Sequence, residues 1–408
     1  MTPQAAPISL VGFSGGQDPF EAVQLASRSF DAVSVFASDL GTARRGLRVM
    51  VGPDPGDPLS RSWPNGVRLA LREHPRVAVP RPENLDVLVP GYRQAFERFV
   101  EGLPTRGMDV DVVDVSALLE TARLLYDGTL VAERYAAVGA FLDRSPADVD
   151  PTVSAVIRGA ALLTAHGYVR DREKVDLARV VTSDLLHGVD ALVLPTTTEH
   201  PTIADVRADP LGVNRRLGTY TNFVNLLDMA AVAVPVGTVD GLPFGVQLIT
   251  RAFDDQLGLD LAARLSENEP WPPASPSVVD AGVDLIVFGA HLRGQPLNRQ
   301  LQDLGARFGG VVRTSPSYAL KALNTTPAKP GLVRVGAGAG VSIEGERWRL
   351  SHSALGGFLT TLPFPMALGQ VELLDGSWSL GFGCSHDAAE AGTDISGHGS
   401  WRAFVATQ

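Results

Sequence analysis

The sequence predicts an α/β chain in two parts, a layered mixed-sheet domain followed by a smaller α+β domain. Three observations carry that expectation. Short apolar runs bounded by turn residues alternate with long amphipathic stretches as far as residue 266. A proline-rich stretch without periodicity then intervenes, with four prolines in ENEPWPPASPSV (267–278). Beyond it come glycine-bounded strands with few helical patterns. The expected division is a domain over 1–266, a linker over 267–282 and a second domain over 283–408.

In chain order, PISLV (7–11) reads as a short strand leading into GFSGG (12–16). That pentapeptide fits the G-x-S-x-G turn of a serine nucleophile. An elbow of that kind follows several strands, whereas Ser14 stands near the beginning of this sequence, so the segment is read as a turn. Residues 28–51 read as an apolar strand, Ser38 or Asp39 as a helix cap, and an amphipathic helix. VAVP (77–80), DVDVV (109–113) and DALVL (190–194) read as strands. Helical patterns cover 91–102, 115–143, 149–166 and 171–187. PVGTVDGLPFGVQLI (235–249) reads as two strands about an Asp240-Gly241 turn, because that dipeptide accepts positive φ. A helix over roughly 254–266 closes the first domain. In the second domain VDLIVFG, GLVRV, VSIEGERWRLS, QVELLDG and WSLGFGC read as strands, and the GAGAG at 336–340 as a loop.

Composition narrows the function. The formal net charge of −10 argues against a general nucleic-acid partner. Cys384 is the sole cysteine, so no internal disulfide or cysteine-based metal cluster is expected. No apolar run approaches the ~18 residues of a membrane helix. A cytoplasmic protein without metal or cofactor, acting on a small molecule, is the expectation.

Two clusters carry possible chemistry. In LLYDGTLVAERYAAVGAFL (124–142) the pattern is helical, and Tyr126 and Arg134 lie eight residues apart on one face. An arginine fork matches a carboxylate and a tyrosine adds a hydroxyl donor. The alternative is a surface Arg134 paired with Glu133 or Asp127 and a Tyr126 packed in the core. Thr196, Thr197, Thr198, Tyr220, Thr221, Asn222 and Asn225 either line a pocket or cap local segments. In the second domain His291 follows an apolar strand in a glycine-bounded turn, and histidine titrates near neutral pH. It is either a proton donor or a cap that packs against Tyr318. Asn298, Tyr318 and Lys329 are candidate substrate ligands, with Arg299 and Lys321 as further cations. Glu346 alternates with Trp348 on one strand face and is either an acid or an anchor.

The segments DALVLPTT, GTYTNFVNLLDMAAVAVPVG and GLPFGVQLI resemble the C-terminal half of amidase-signature enzymes. RSFDAVSVFASDL and LLYDGTLVAERYAA narrow the resemblance to allophanate hydrolases. DLIVFGAHLRGQPLNRQL, TSPSYALKAL, PAKPGLVRV, GERWRLS and DISGHGSWRAF resemble the C-terminal domain of that family, which has a γ-glutamyl-cyclotransferase-like fold. The resemblance implies amide hydrolysis by a Ser–Ser–Lys triad in the first domain, with Tyr126 and Arg134 binding the substrate carboxylate. It implies decarboxylation of N-carboxycarbamate in the second, with His291 as the key residue, all within urea use.

This sequence departs from the pattern in one respect. The family's lysine and serines precede the RSFDAVSVF segment, and here the first lysine is Lys174. The expectation is therefore a chain lacking the triad half. It would retain only the decarboxylating half-reaction, or else serve as an inactive binding fragment that dimerises or pairs with an intact homologue.

Overall fold

The computed structural model describes residues 8–11, 27, 29–144, 147, 149–266, 269 and 271–408. The GFSGG segment lies outside the described residues. Two compact units are present, one formed by Met1–Ser62 and His74–Glu269, the other by Trp63–Glu73 and Pro270–Gln408. Residues 63–73 thus group with the second unit, although they precede most of the first in sequence.

The first unit is built on a seven-stranded mixed sheet. Its strands are β1 (Ile8–Val11), β2 (Val35–Ala37), β3 (Arg76–Pro80), β4 (Asp109–Val113), β5 (Ala191–Pro195), β6 (Ala230–Val239) and β7 (Leu242–Thr250), in the order β2-β1-β6-β7-β5-β3-β4. Strand β3 pairs in parallel with β4 and β5, while β5 pairs antiparallel with β7. All five residues of β5 are buried, which explains why DALVL reads as an unbroken apolar run. Strand β4 is an edge and carries Asp109 and Asp111, charges that discourage pairing with another chain. The β6–β7 hairpin turns at Asp240 and Gly241, with φ of 51° and 79°. Strand β6 begins at Ala230, five residues before the Pro235 expected to open it.

Helices cover the sheet. In Leu40–Met50 the buried residues are Leu40, Ala43, Arg44 and Leu47, one stripe at helical spacing. Its N-cap is Asp39, whose carboxylate accepts the Thr42 N–H at 2.7 Å. The expected helix over 115–143 is two helices, Ser116–Asp127 and Ala132–Arg144. The break follows from Gly128 and Thr129. A Cβ at Gly128 would lie 2.6 Å from the Leu124 carbonyl oxygen and 2.9 Å from Asp171 Oδ2. Asp171, itself buried, accepts from both the N–H and the hydroxyl of Thr129 at 2.7 Å. Tertiary hydrogen bonding outweighs helix propensity here. The two helical patterns over 149–166 and 171–187 correspond to the helices Pro151–Gly159 and Ala165–Leu185, the second starting six residues earlier than expected and capped by Thr164.

The second unit holds a five-stranded and a three-stranded sheet. Its strands are β8 (Val283–Val287), β9 (Arg307–Arg313), β10 (Tyr318–Leu323), β11 (Lys329–Arg334), β12 (Glu344–Leu350), β13 (Met366–Glu372), β14 (Trp378–Cys384) and β15 (Thr393–Asp394). The orders are β13-β14-β8-β12-β9 and β11-β10-β15. Leu285, Ile286, Val287, Trp348, Leu350 and Phe382 belong to its core. Residues 63–73 strap this unit: Leu69 N–H donates to the Gly305 carbonyl at 2.9 Å, and Trp271 Nε1 donates to the Leu71 carbonyl at 3.1 Å. The helix His352–Thr360, which the glycine-rich texture concealed, is capped by Ser351. Among the described residues no helix is long and apolar enough to cross a membrane.

Candidate functional site

Strand β8 runs out of the core into the turn Gly289–His291, and there the second unit opens a cavity of about 280 Å³. A side chain at Gly289 would collide with the Pro330 ring, so glycine lets the turn approach β11 closely. That approach brings His291 and Lys329, far apart in sequence, to one cavity. Gln300, Phe358 and Phe382 also line it, with prolines and aliphatic side chains forming much of the remaining wall.

His291 is held on three sides. Its ring stacks on Phe382 (centroids 5.2 Å apart, planes 16°) and meets Phe358 edge-on at 5.2 Å and 85°. Nε2 lies 2.9 Å from Gln300 Oε1; with the Gln300 amide assigned in this orientation its oxygen can only accept, which places the proton on Nε2. Burial pushes the imidazole below its ordinary pKa; the Gln300 contact opposes that shift and the Lys329 charge reinforces it. At neutral pH His291 is therefore uncharged. Lys329 Nζ has no carboxylate partner among the described residues, which leaves it available to an anion. The packing partners of His291 are Phe358 and Phe382, not the Tyr318 of the alternative reading as a cap.

Other second-domain candidates occupy structural positions. Asn298 is buried; its amide donates to the His291 carbonyl at 2.8 Å and accepts from Gln302 at 2.8 Å. It shapes the turn that presents His291 and spends its side chain on protein. The Tyr318 hydroxyl accepts the Glu372 N–H at 2.8 Å, and the residue is buried in the core away from the cavity lining. Lys321 pairs with Asp394 at 2.9 Å, and exposed Arg299 lies 3.5 Å from Asp303.

Glu346 and Trp348 do share a face, both 0% exposed. Glu346 accepts from Arg293 N (2.9 Å), Arg293 Nε (3.3 Å), Arg402 Nη2 (2.7 Å) and Trp348 Nε1 (3.2 Å). A carboxylate so engaged is an anchor. It ties the turn that follows His291 to β12 and to the helix Trp401–Val405.

In the first unit Tyr126 and Arg134 fall on successive helices, yet the Arg134 guanidinium lies over the Tyr126 ring at 5.8 Å. Both are half-buried. The carboxylates suspected of pairing with Arg134 are engaged elsewhere. Glu133 accepts from Tyr168 at 2.6 Å and Ser29 N at 2.9 Å, and Asp127 pairs with Arg215 at 2.7 Å. Among the described residues Arg134 has no carboxylate partner. Thr198 and Tyr220 are spent on the Arg216 and Asn84 carbonyls, while Thr196 Oγ1 and Asn225 Oδ1 are buried without a hydrogen-bond partner.

Gln300, Phe358 and Phe382 were not among the candidates. The two phenylalanines lie 67 and 91 residues beyond His291, and no local spacing marks them. Gln300 does carry a local signal, since it neighbours the candidates Asn298 and Arg299 on the short helix Asn298–Asp303.

Residues 5–259 match the amidase family model, and residues 283–406 match the allophanate hydrolase C-terminal domain. Urea amidolyase of Saccharomyces cerevisiae is 37% identical over 98% of this chain, which spans 23% of that protein's length. The Kluyveromyces lactis urea amidolyase structure superposes with a TM-score of 0.86 at 33% identity, covering 99% of this chain and 26% of that one. The Kluyveromyces lactis allophanate hydrolase structure superposes with a TM-score of 0.85 at 34% identity, over 99% of this chain and 70% of that one. An amidase at 22% identity and TM-score 0.53 shares the fold. The chain belongs to the allophanate hydrolase family of amidase-signature proteins.

Proposed function

We propose that the second unit decarboxylates N-carboxycarbamate in allophanate breakdown, with His291 as proton donor and Lys329 holding a carboxylate. The observation that carries this reading is the pairing of a neutral histidine and an uncommitted lysine in one largely apolar cavity. A free dianion brings charge to a site where burial favours uncharged imidazole. Its arrival raises the His291 pKa, so substrate binding and proton uptake are coupled. The apolar wall strips water from the carboxylate, a state from which carbon dioxide leaves more readily. In the step itself the C–N bond breaks, its electron pair remains on nitrogen, and His291 passes its proton there. Carbon dioxide and carbamate are the products, and no oxidant or reductant is needed.

In the first unit, Tyr126 and Arg134 would hold the carboxylate of a small amide substrate. The absence of a competing carboxylate at Arg134 among the described residues supports that role.

The test supplies N-carboxycarbamate generated in situ by an intact amidase domain and follows carbon dioxide release. Acceleration by this chain, abolished in His291→Ala, is expected. Release no faster than in its absence would overturn the proposal.

A further inference from the structure

We propose that Gln300 is a positioning residue for this reaction: by accepting the Nε2 proton of His291 it leaves Nδ1 as the nitrogen that meets substrate. The inference rests on the reading of the cavity as a carbamate site. Gln300 Oε1 lies 2.9 Å from Nε2, and Nδ1 has no hydrogen-bond partner among the described residues. Stacking on Phe382 and the edge contact with Phe358 restrict ring rotation, so the two nitrogens are not interchangeable. With Nε2–H committed to an amide oxygen, neutral His291 presents a lone pair at Nδ1. A carbamate oxygen approaching that lone pair is repelled until Nδ1 takes a proton. Once taken, this proton is the one delivered to nitrogen as the C–N bond breaks. Gln300 thereby decides which nitrogen cycles its proton.

The charged groups near His291 are few. Lys329 on β11 lines the same cavity. Arg293, on the same turn, is bound to Glu346 of β12, and Glu346 is bound in turn to Arg402. Arg299, on the helix of Gln300, lies against Asp303. His352 begins the helix that carries Phe358. None of the carboxylates among these groups is hydrogen-bonded to the imidazole, so the neutral amide at position 300 is the partner that sets its proton arrangement.

The test uses the full chain with ¹⁵N-labelled histidine, wild type beside Gln300→Met and Gln300→Glu. Gln300 is exposed, so both substitutions are compatible with folding. Wild type is expected to show a protected Nε2–H proton that Gln300→Met loses. The His291 titration midpoint should fall in Gln300→Met and rise by about one unit or more in Gln300→Glu, where a carboxylate stabilises imidazolium. Carbon dioxide release should fall about 10²-fold in Gln300→Met, with kcat affected more than KM. A protonated Nδ1 in the wild-type neutral form, or midpoints moving in the same direction in both variants, would overturn the proposal. The tautomer is read without substrate, so it decides the role of Gln300 independently of whether the cavity takes a carbamate.

Discussion

Replacing Glu346 by alanine tests how the His291 turn is held. The carboxylate is 0% exposed and accepts four hydrogen bonds, from Arg293 (two), Arg402 and Trp348. Removing it leaves two guanidinium groups and an indole N–H facing a void. Breaking a buried ion pair by removal of one partner costs about 3–5 kcal/mol. Glu346→Gln retains shape and one acceptor, so a smaller loss of about 2 kcal/mol is expected. All five tryptophans (63, 271, 348, 378 and 401) belong to the second unit, so selectively excited tryptophan fluorescence follows that unit. Urea unfolding read by fluorescence should therefore show a large fall in midpoint for Glu346→Ala and an intermediate one for Glu346→Gln. The double variant with Arg402→Ala should lose less than the sum of the singles, because both act through one network. A Glu346→Ala penalty below about 1 kcal/mol, or strict additivity with Arg402→Ala, would refute the anchor.

Gly128→Ala should destabilise the first unit by about 1–3 kcal/mol, because its Cβ would overlap the Leu124 carbonyl and Asp171. Far-UV circular dichroism should detect an early transition while tryptophan fluorescence is unchanged. The depressed pKa of His291 means the unfolded chain binds its proton first as pH falls. Its stabilising contribution is complete above the ordinary value near 6.5 and is lost as pH drops below it, so His291→Asn should flatten the fluorescence-detected stability profile on that acidic side. Asp394 acts in the same direction at lower pH. Hydrogen bonds from Ser396 and Lys321 hold its carboxyl at about 2, so its stabilisation is lost as pH falls from the ordinary 3.8 through that value. The residue is half-exposed and solvent screens it, so Asp394→Asn should cost about 1 kcal/mol or less at neutral pH, measured by urea unfolding.

Much of the sheet architecture was legible because its signals are local. Asp240-Gly241 announces a hairpin, Asp39 announces a helix, and the buried run at 191–195 announces a central strand. The helix break at Gly128 was not legible, because its cause is Asp171, which lies 42 residues beyond Thr129 and accepts that residue's hydrogen bonds. The strap at residues 63–73 was hidden for the same reason, since backbone pairing with Gly305 leaves no pattern in residues 63–73 themselves. At the candidate site, His291 and Lys329 stand out by residue type and reach one cavity. The structural use of Asn298 and Tyr318 could not be read, because a buried donor and a substrate-binding donor look alike in sequence.

Stopped-flow carbon dioxide release, with N-carboxycarbamate supplied in situ, tests the central claim most directly when wild type, His291→Ala and Lys329→Met are run together. The predicted result is acceleration by wild type, a collapse of kcat in His291→Ala, and a raised KM with smaller loss of kcat in Lys329→Met. Equal rates for wild type and His291→Ala would contradict the account.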